Sequence, residues 1–120
     1  VTYQQTIGNL GEKIAADYIL DKGYEVLDRK FVTRFGELDI VAAHAGMVVF
    51  IEVKTRTSDT YGPPESSVTE AKMERLQNAA LLWMQAHPEI NEDWRIDVIA
   101  IILDHRRKVK EIRHFMNVSV

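Results

Sequence analysis

Glu52 and Lys54 flank Val53 at the close of the apolar run Met47–Val53, and Asp39 stands thirteen residues upstream at the tip of a second such run. Strand side chains alternate between faces, so Glu52 and Lys54 emerge together. Directly opposed residues of an antiparallel pair also share a face, and Asp39 joins them if it pairs opposite Glu52. That register sets Ala43 against Val48 and leaves His44 to Met47 as a tight connection, with Gly46 free to take a positive φ. A slip of one residue would turn Asp39 to the other face. Two close carboxylates repel each other unless a cation intervenes. Mg²⁺ suits all-oxygen coordination by a carboxylate or two, waters and a substrate phosphate. It would lower the pKa of a bound water and stabilise charge developing at phosphorus. Lys54 could orient that water or stabilise the transition state. Acid, acid and lysine therefore compose a plausible Mg²⁺-dependent phosphodiesterase site. A salt bridge between Lys54 and the acids on an exposed sheet face explains the same spacing equally well.

Several residues could extend the constellation. Glu12 falls on the flank of an apolar helical arc, where it can reach over the sheet as a further metal ligand or remain a surface glutamate. Glu37 shares the face of Asp39 and ranks below the others, as a contributor or a solvated acid. Lys72 lies in line with Leu76 and Trp83 near the start of a helix, a position suited either to a phosphate contact or to a snorkelling lysine. Arg34 and Arg56 bracket the acidic strands and could clamp a nucleic-acid backbone. Trp83 reads as core, and neither it nor Trp94 announces a base-stacking platform. His44, His87, His105 and His114 show no metal-binding spacing and read as turn or surface residues. Arg106, Arg107, Lys108, Lys110 and Arg113 give Asp104–His114 a local positive excess, most simply a solvated turn.

The elements that must position these residues follow from periodicity. Thr6 to Lys22 reads as a helix stopped by Gly23, with Ile7, Leu10, Ile14 and Tyr18 on one arc. Tyr24 to Phe31 is a first strand, and Leu38 to Ala43 and Met47 to Val53 form a hairpin. Thr55 to Ser67 is a Gly- and Pro-containing loop, long enough to cover a site. Thr69 to Ala86 is an amphipathic helix, with Leu76, Ala79, Ala80 and Trp83 inward and Pro88 as its stop. Ile96 to Leu103 suggests a strand buried on both faces. Lys108 to Phe115 is a charged strand at or near an edge. The fold class is α/β, a central mixed β-sheet flanked by two helices in the order α-β-β-β-α-β-β.

Bulk properties narrow the function classes. At 120 residues, 46% hydrophobic and 28% charged, the chain fits one soluble domain spanning 1–120. Without cysteine, disulfides and thiolate metal sites are excluded. A net charge of −3 argues against indiscriminate binding to nucleic acid, while allowing a local basic surface. No apolar stretch approaches a membrane span and the N-terminus lacks a signal pattern, so no membrane partner is expected and the cytoplasm is the default location.

Glu12, then Gly36-Glu37-Leu38-Asp39-Ile40-Val41-Ala42, then Phe50-Ile51-Glu52-Val53-Lys54-Thr55-Arg56 together resemble the YraN-like family of small bacterial proteins. That family is similar to the PD-(D/E)xK, or restriction-endonuclease-like, nucleases. Tyr61-Gly62-Pro63-Pro64, Lys72 with Arg75-Leu76, and Arg95-Ile96-Asp97-Val98 extend the resemblance from Gly8 to about Asn117. It implies that Asp39 and Glu52 are metal-binding acids, that Lys54 is the motif lysine and that Glu12 is an added helix acid. The carbonyl of Val53 would complete the coordination of Mg²⁺ or Mn²⁺. Leu38 departs from the proline of the superfamily's name. The implied activity is a metal-dependent nuclease acting on DNA phosphodiesters, on branched DNA as in Holliday-junction resolvases, which the fold would match, or on single-stranded DNA. A homodimer would supply two sites. The alternative is a non-catalytic nucleic-acid-binding or recruitment protein that keeps the nuclease fold.

Overall fold

The computed structural model describes residues 1–57 and 62–118. In chain order it has α1 (Tyr3–Asp21), β1 (Glu25–Thr33), β2 (Gly36–His44), β3 (Met47–Arg56), a 3-10 turn (Pro64–Ser67), α2 (Glu70–Ala86), β4 (Asp93–Leu103) and β5 (Val109–Phe115). The expected order holds, and the differences lie at element ends. α1 begins before Thr6 because Thr2 and Gln5 form a reciprocal capping box, with bonds of 3.0 and 2.9 Å. It stops where Gly23 takes φ +87°, a conformation that favours glycine. β3 continues past Val53 to Arg56, shortening the loop expected from Thr55, and Tyr61 lies outside the described residues.

The five strands lie side by side in sequence order. β3 and β4 are parallel, joined by a crossover through α2, and every other neighbouring pair is antiparallel. The sheet is therefore mixed. The β2–β3 hairpin has the expected register: Ala43 opposes Val48 and Ile40 opposes Ile51. His44 and Met47 also pair, so the turn narrows to Ala45 and Gly46, both at positive φ as a two-residue hairpin turn needs.

Each face of the sheet carries one helix. α1 covers Ile40, Ala42, Val49, Ile51, Ile99 and Ile101, while α2 covers Val41, Val48, Phe50 and Ile96 through Met73, Leu76, Ala79, Ala80 and Trp83. β4, lying between both helices, is buried on both sides from Ile96 to Leu103. The buried stripe of α1 differs from the expected arc. It runs through Ile7, Gly11, Ala15, Ala16 and Ile19, with Leu10, Ile14 and Tyr18 only half-buried at its flank. Small residues let the helix backbone close on the strands. At Gly11 the approach is so tight that a Cβ would lie 1.8 Å from Thr55 Oγ1.

His114 corrects the reading of all four histidines as turn or surface residues. It lies on the edge strand, but the inner face of that strand is roofed by α1, and its side chain is 4% exposed. His114 Nε2 stands 2.8 Å from Oδ2 of the fully buried Asp97, and Nδ1 stands 3.2 Å from the Tyr18 hydroxyl. Arg95 Nε and the Asn117 N–H donate to Asp97 Oδ1 at 3.0 and 2.9 Å. Burial alone would raise the Asp97 pKa, but these partners more than offset it and hold the carboxyl below its ordinary value. His44 and His87 are half-buried, stacked on Tyr24 and Trp83.

Candidate active site

The β2–β3 ladder ends at Ile40 and Ile51, one step short of the two acids. Here the strands part, and the Val53 N–H donates instead to Asp39 Oδ2 at 2.9 Å. Asp39 is thereby fixed at the sheet's end, with its carboxyl beside that of Glu52. Glu52 is 4% exposed. A cavity of about 450 Å³ opens at this end, floored by Asp39 and Glu52–Thr57 and walled by Tyr3, Ile7, Gly8 and Glu12 of α1 and by Lys72 of α2. Both helices contribute because the cavity lies beyond the last full rung of the ladder, where the two faces of the sheet meet.

The charges are unequally matched. Lys72 Nζ lies 3.4 Å from Glu52 Oε2, and Lys30 Nζ lies 3.1 Å from Glu12 Oε1. Neither approach is aligned as a hydrogen bond, so both oxygens are buried and unbonded. Burial, and then the neighbouring Glu52, push the Asp39 pKa from 3.8 up to about 8, against the opposing Val53 N–H and Lys72. Burial likewise raises Glu12, partly offset by Lys30. Asp39 is thereby held toward its protonated form near neutral pH.

Asp39, Glu52, Val53, Lys54, Glu12, Arg56 and Lys72 all line this one cavity. Arg34 does not: it lies on the β1–β2 turn, its guanidinium 4.9 Å over the Phe35 ring. Lys72, expected as a phosphate contact or a snorkelling lysine, lies at the cavity wall with Nζ 3.4 Å from Glu52 Oε2. Glu37, ranked low from sequence, presents a carboxylate oxygen within 4.8 Å of those of Glu12 and Asp39, so these three could hold a metal ion together. Its signal was its alternation with Asp39. Lys30 was missed, since its link to Glu12 joins elements 18 positions apart with no pattern between them. Gly11 was missed too, although a glycine inside a helix often marks a close approach.

The donor set fits a hard divalent cation. It offers only oxygens, two of them buried without hydrogen bonds, gathered beside an amide that orients Asp39. No described helix is long and apolar enough to cross a membrane.

Similarity to known proteins agrees with the family resemblance read from the motifs. The model of the uncharacterised protein family UPF0102 matches residues 11–101, a span that includes Glu12, the hairpin, α2 and most of β4. A UPF0102 protein of Clavibacter michiganensis is 44% identical over 102 residues, covering 85% of this chain and 86% of its own. One from Syntrophomonas wolfei is 40% identical across 92% of this chain and 95% of its own. One from Mycolicibacterium vanbaalenii is 43% identical across 94% and 93%. With a fold and a site built from the matched segments, this chain belongs to the UPF0102, YraN-like, family.

Proposed function

We propose that this protein is a divalent-metal-dependent nuclease that hydrolyses DNA phosphodiester bonds, on branched or single-stranded substrates. The observation that carries this reading is the pair of buried, unbonded carboxylate oxygens, Glu12 Oε1 and Glu52 Oε2, facing one cavity with Asp39 and Lys54. Asp39, Glu52 and Glu12 would hold Mg²⁺ or Mn²⁺, with the Val53 carbonyl and Glu37 as adjoining donors. The ion supplies Lewis-acid activation of water and of the phosphoryl oxygen. The chain's own groups do the rest. The Val53 N–H fixes Asp39, and Lys30 holds Glu12 toward the sheet end. Lys54 places its ammonium beside the attacked phosphate, to orient the nucleophilic water and balance charge on the phosphoryl oxygens. Arg56, at the cavity rim, binds a flanking phosphate. A homodimer would present two such cavities for cutting two strands.

A second reading, a non-catalytic nucleic-acid-binding or recruitment protein, draws support from Lys72, which already occupies Glu52 as a cation would. One experiment separates the two. Nicking of branched and single-stranded DNA is followed in Mg²⁺ or Mn²⁺ with the parent, Asp39→Ala and Lys54→Ala, alongside calorimetric metal titration. Cleavage lost in both variants, with metal binding lost only in Asp39→Ala, selects the nuclease. DNA binding that survives both substitutions and EDTA, without cleavage, selects the second reading.

A further inference from the structure

Beyond the acidic cavity, the β4–β5 turn stands out. Because β3 and β4 run parallel, with Arg56 opposite Ile102, the turn that follows Leu103 emerges at the same end of the sheet as the cavity. Arg106, Arg107 and Lys108 are exposed on it. Its one acid, Asp104, is consumed internally: Oδ1 accepts the Arg106 and Lys108 N–H groups at 2.8 and 3.0 Å. The backbone is closed by Asp104 N–H to the Lys108 carbonyl at 2.8 Å and Arg107 N–H to the Asp104 carbonyl at 3.0 Å.

Two details distinguish this turn from a merely solvated loop. Arg107 adopts φ +63°, a conformation in which glycine or asparagine would be unstrained. Its guanidinium lies 5.4 Å over the ring of Tyr3, which lines the cavity and is itself 56% exposed. A cation thus backs an aromatic ring at the mouth of a site lined with buried acids.

We propose that Tyr3, backed by Arg107, is a stacking platform for an unpaired nucleotide, and that Arg106 and Arg107 bind the adjoining phosphates so that a single strand is led across the cavity. The inference deepens the nuclease reading by naming the substrate class as single-stranded nucleic acid. The chemistry fits the pieces. Base–aromatic stacking is sequence-tolerant, and arginine binds phosphate through a planar fork. The outward turn supplies positive charge that the rest of an acidic chain lacks.

The test is fluorescence anisotropy with short labelled single-stranded DNA, single-stranded RNA and duplex DNA, in Ca²⁺ and again in EDTA, across a salt series. The parent should bind the single strands more tightly than the duplex, and the DNA and RNA arms decide which of them is preferred. Tyr3→Ala should weaken single-strand binding about tenfold, as loss of one stacked base does, whereas Tyr3→Phe should match the parent. Arg107→Gly removes the cation while suiting the positive φ. It should weaken binding severalfold while leaving the melting temperature unchanged or higher, an outcome that a structural role for Arg107 would not give. Arg106→Glu with Arg107→Gly should make the dependence of log affinity on log salt shallower by about 1.4, for two phosphate contacts. Equal binding by parent, Tyr3→Ala and the double variant overturns the inference even if the enzyme cleaves DNA, as does a parent that prefers duplex or binds no nucleic acid. Turn-dependent binding without cleavage leaves the inference standing and removes only the nuclease reading.

Discussion

Replacing Gly11 by alanine would set a methyl group 1.8 Å from Thr55 Oγ1, 2.8 Å from its Cβ and 2.9 Å from its Cγ2. Rotating the Thr55 side chain can clear Oγ1 and Cγ2 but cannot move Cβ. To restore an ordinary contact of 3.4 Å, α1 must therefore retreat from β3 by at least about 0.6 Å. Overpacking of this kind costs about 1–3 kcal/mol, and alanine returns about 1 kcal/mol of helix propensity. The expected net destabilisation is about 1 kcal/mol, a fall in Tm of roughly 3–6 °C for a chain of this size. The larger consequence is local. Glu12 follows Gly11 directly and is the only acid that α1 brings to the cavity. Mg²⁺ tolerates little deviation from its ligand distances, so the retreat should weaken metal binding about tenfold. The assay is calorimetric Mg²⁺ or Mn²⁺ titration with thermal melts, on the parent, Gly11→Ala, Thr55→Ala, Glu12→Gln and the Gly11→Ala/Thr55→Ala pair. Thr55→Ala removes two of the three clashing atoms, so the pair should recover part of both losses relative to Gly11→Ala alone. A Gly11→Ala protein that melts higher than the parent and binds metal equally well would refute the argument. It would mean that helix propensity alone governs the position and that the seating of α1 has no influence on the site.

Three further outcomes follow from the same coordinates. The raised pKa of Asp39 means that the folded state binds more protons than the unfolded state between about pH 4 and 8, so without metal stability falls as pH rises through that window. In EDTA, Asp39→Asn should therefore raise Tm near pH 8 and leave it nearly unchanged near pH 4; no difference between the two pH values contradicts the assignment. Lys72→Met removes the cation from half-exposed contact with Glu52, costing at most about 1 kcal/mol while tightening divalent-metal binding severalfold, because the ammonium no longer competes; weaker metal binding would show that Lys72 assists rather than opposes the ion. Asp97 works in the opposite sense, since its carboxyl is held below the ordinary value. Its contribution is complete above about pH 4 and is lost as pH falls through its lowered pKa, and Asp97→Ala should cost about 3–5 kcal/mol near neutrality by removing the buried carboxylate that Arg95, His114 and the Asn117 N–H share. A chemical-denaturation midpoint close to that of the parent would contradict this.

What could be read from the sequence was whatever obeyed a local period. The face shared by Glu52 and Lys54, the register of Ala43 with Val48 and the inward arc of α2 all follow from periods of two or 3.6 residues and from one turn glycine. The seating of α1 did not follow, because the large apolar residues Leu10, Ile14 and Tyr18 outweigh Gly11 and Ala15 on any hydropathy scale. At a close helix–strand contact the small residues are the ones that go innermost. The partnership of Asp97 with His114 escaped for a different reason. It joins two strands across the sheet, and neither residue type announces burial unless its partner is known. Lys72 lies at the cavity as its helix position suggested, but its pairing with Glu52 depends on a tertiary distance that no spacing encodes.

The two buried acidic centres make the strongest argument about the site, because each acts as a control for the other. Both sit in one sheet, in the same protein interior. Asp97 is surrounded by donors on both oxygens and is held ionised. Glu52 is also buried, and Asp39 and Glu12 are half-buried, yet two oxygens of this group lack an aligned hydrogen bond, and the pKa values of Asp39 and Glu12 are driven up. An unsatisfied buried acceptor is costly, and among the described residues the only compensation here is from the unaligned Lys30 and Lys72 ammoniums, so these acids are less well satisfied than Asp97. On the proposed reading a bound group would offset that cost. It would have to be cationic to discharge the acids and to accept several oxygens at once. Within reach of Lys54 and Arg56, it must also leave room for an anion. A divalent metal carrying a phosphodiester meets all three requirements, whereas the Lys72 ammonium, unaligned at 3.4 Å, meets only the first.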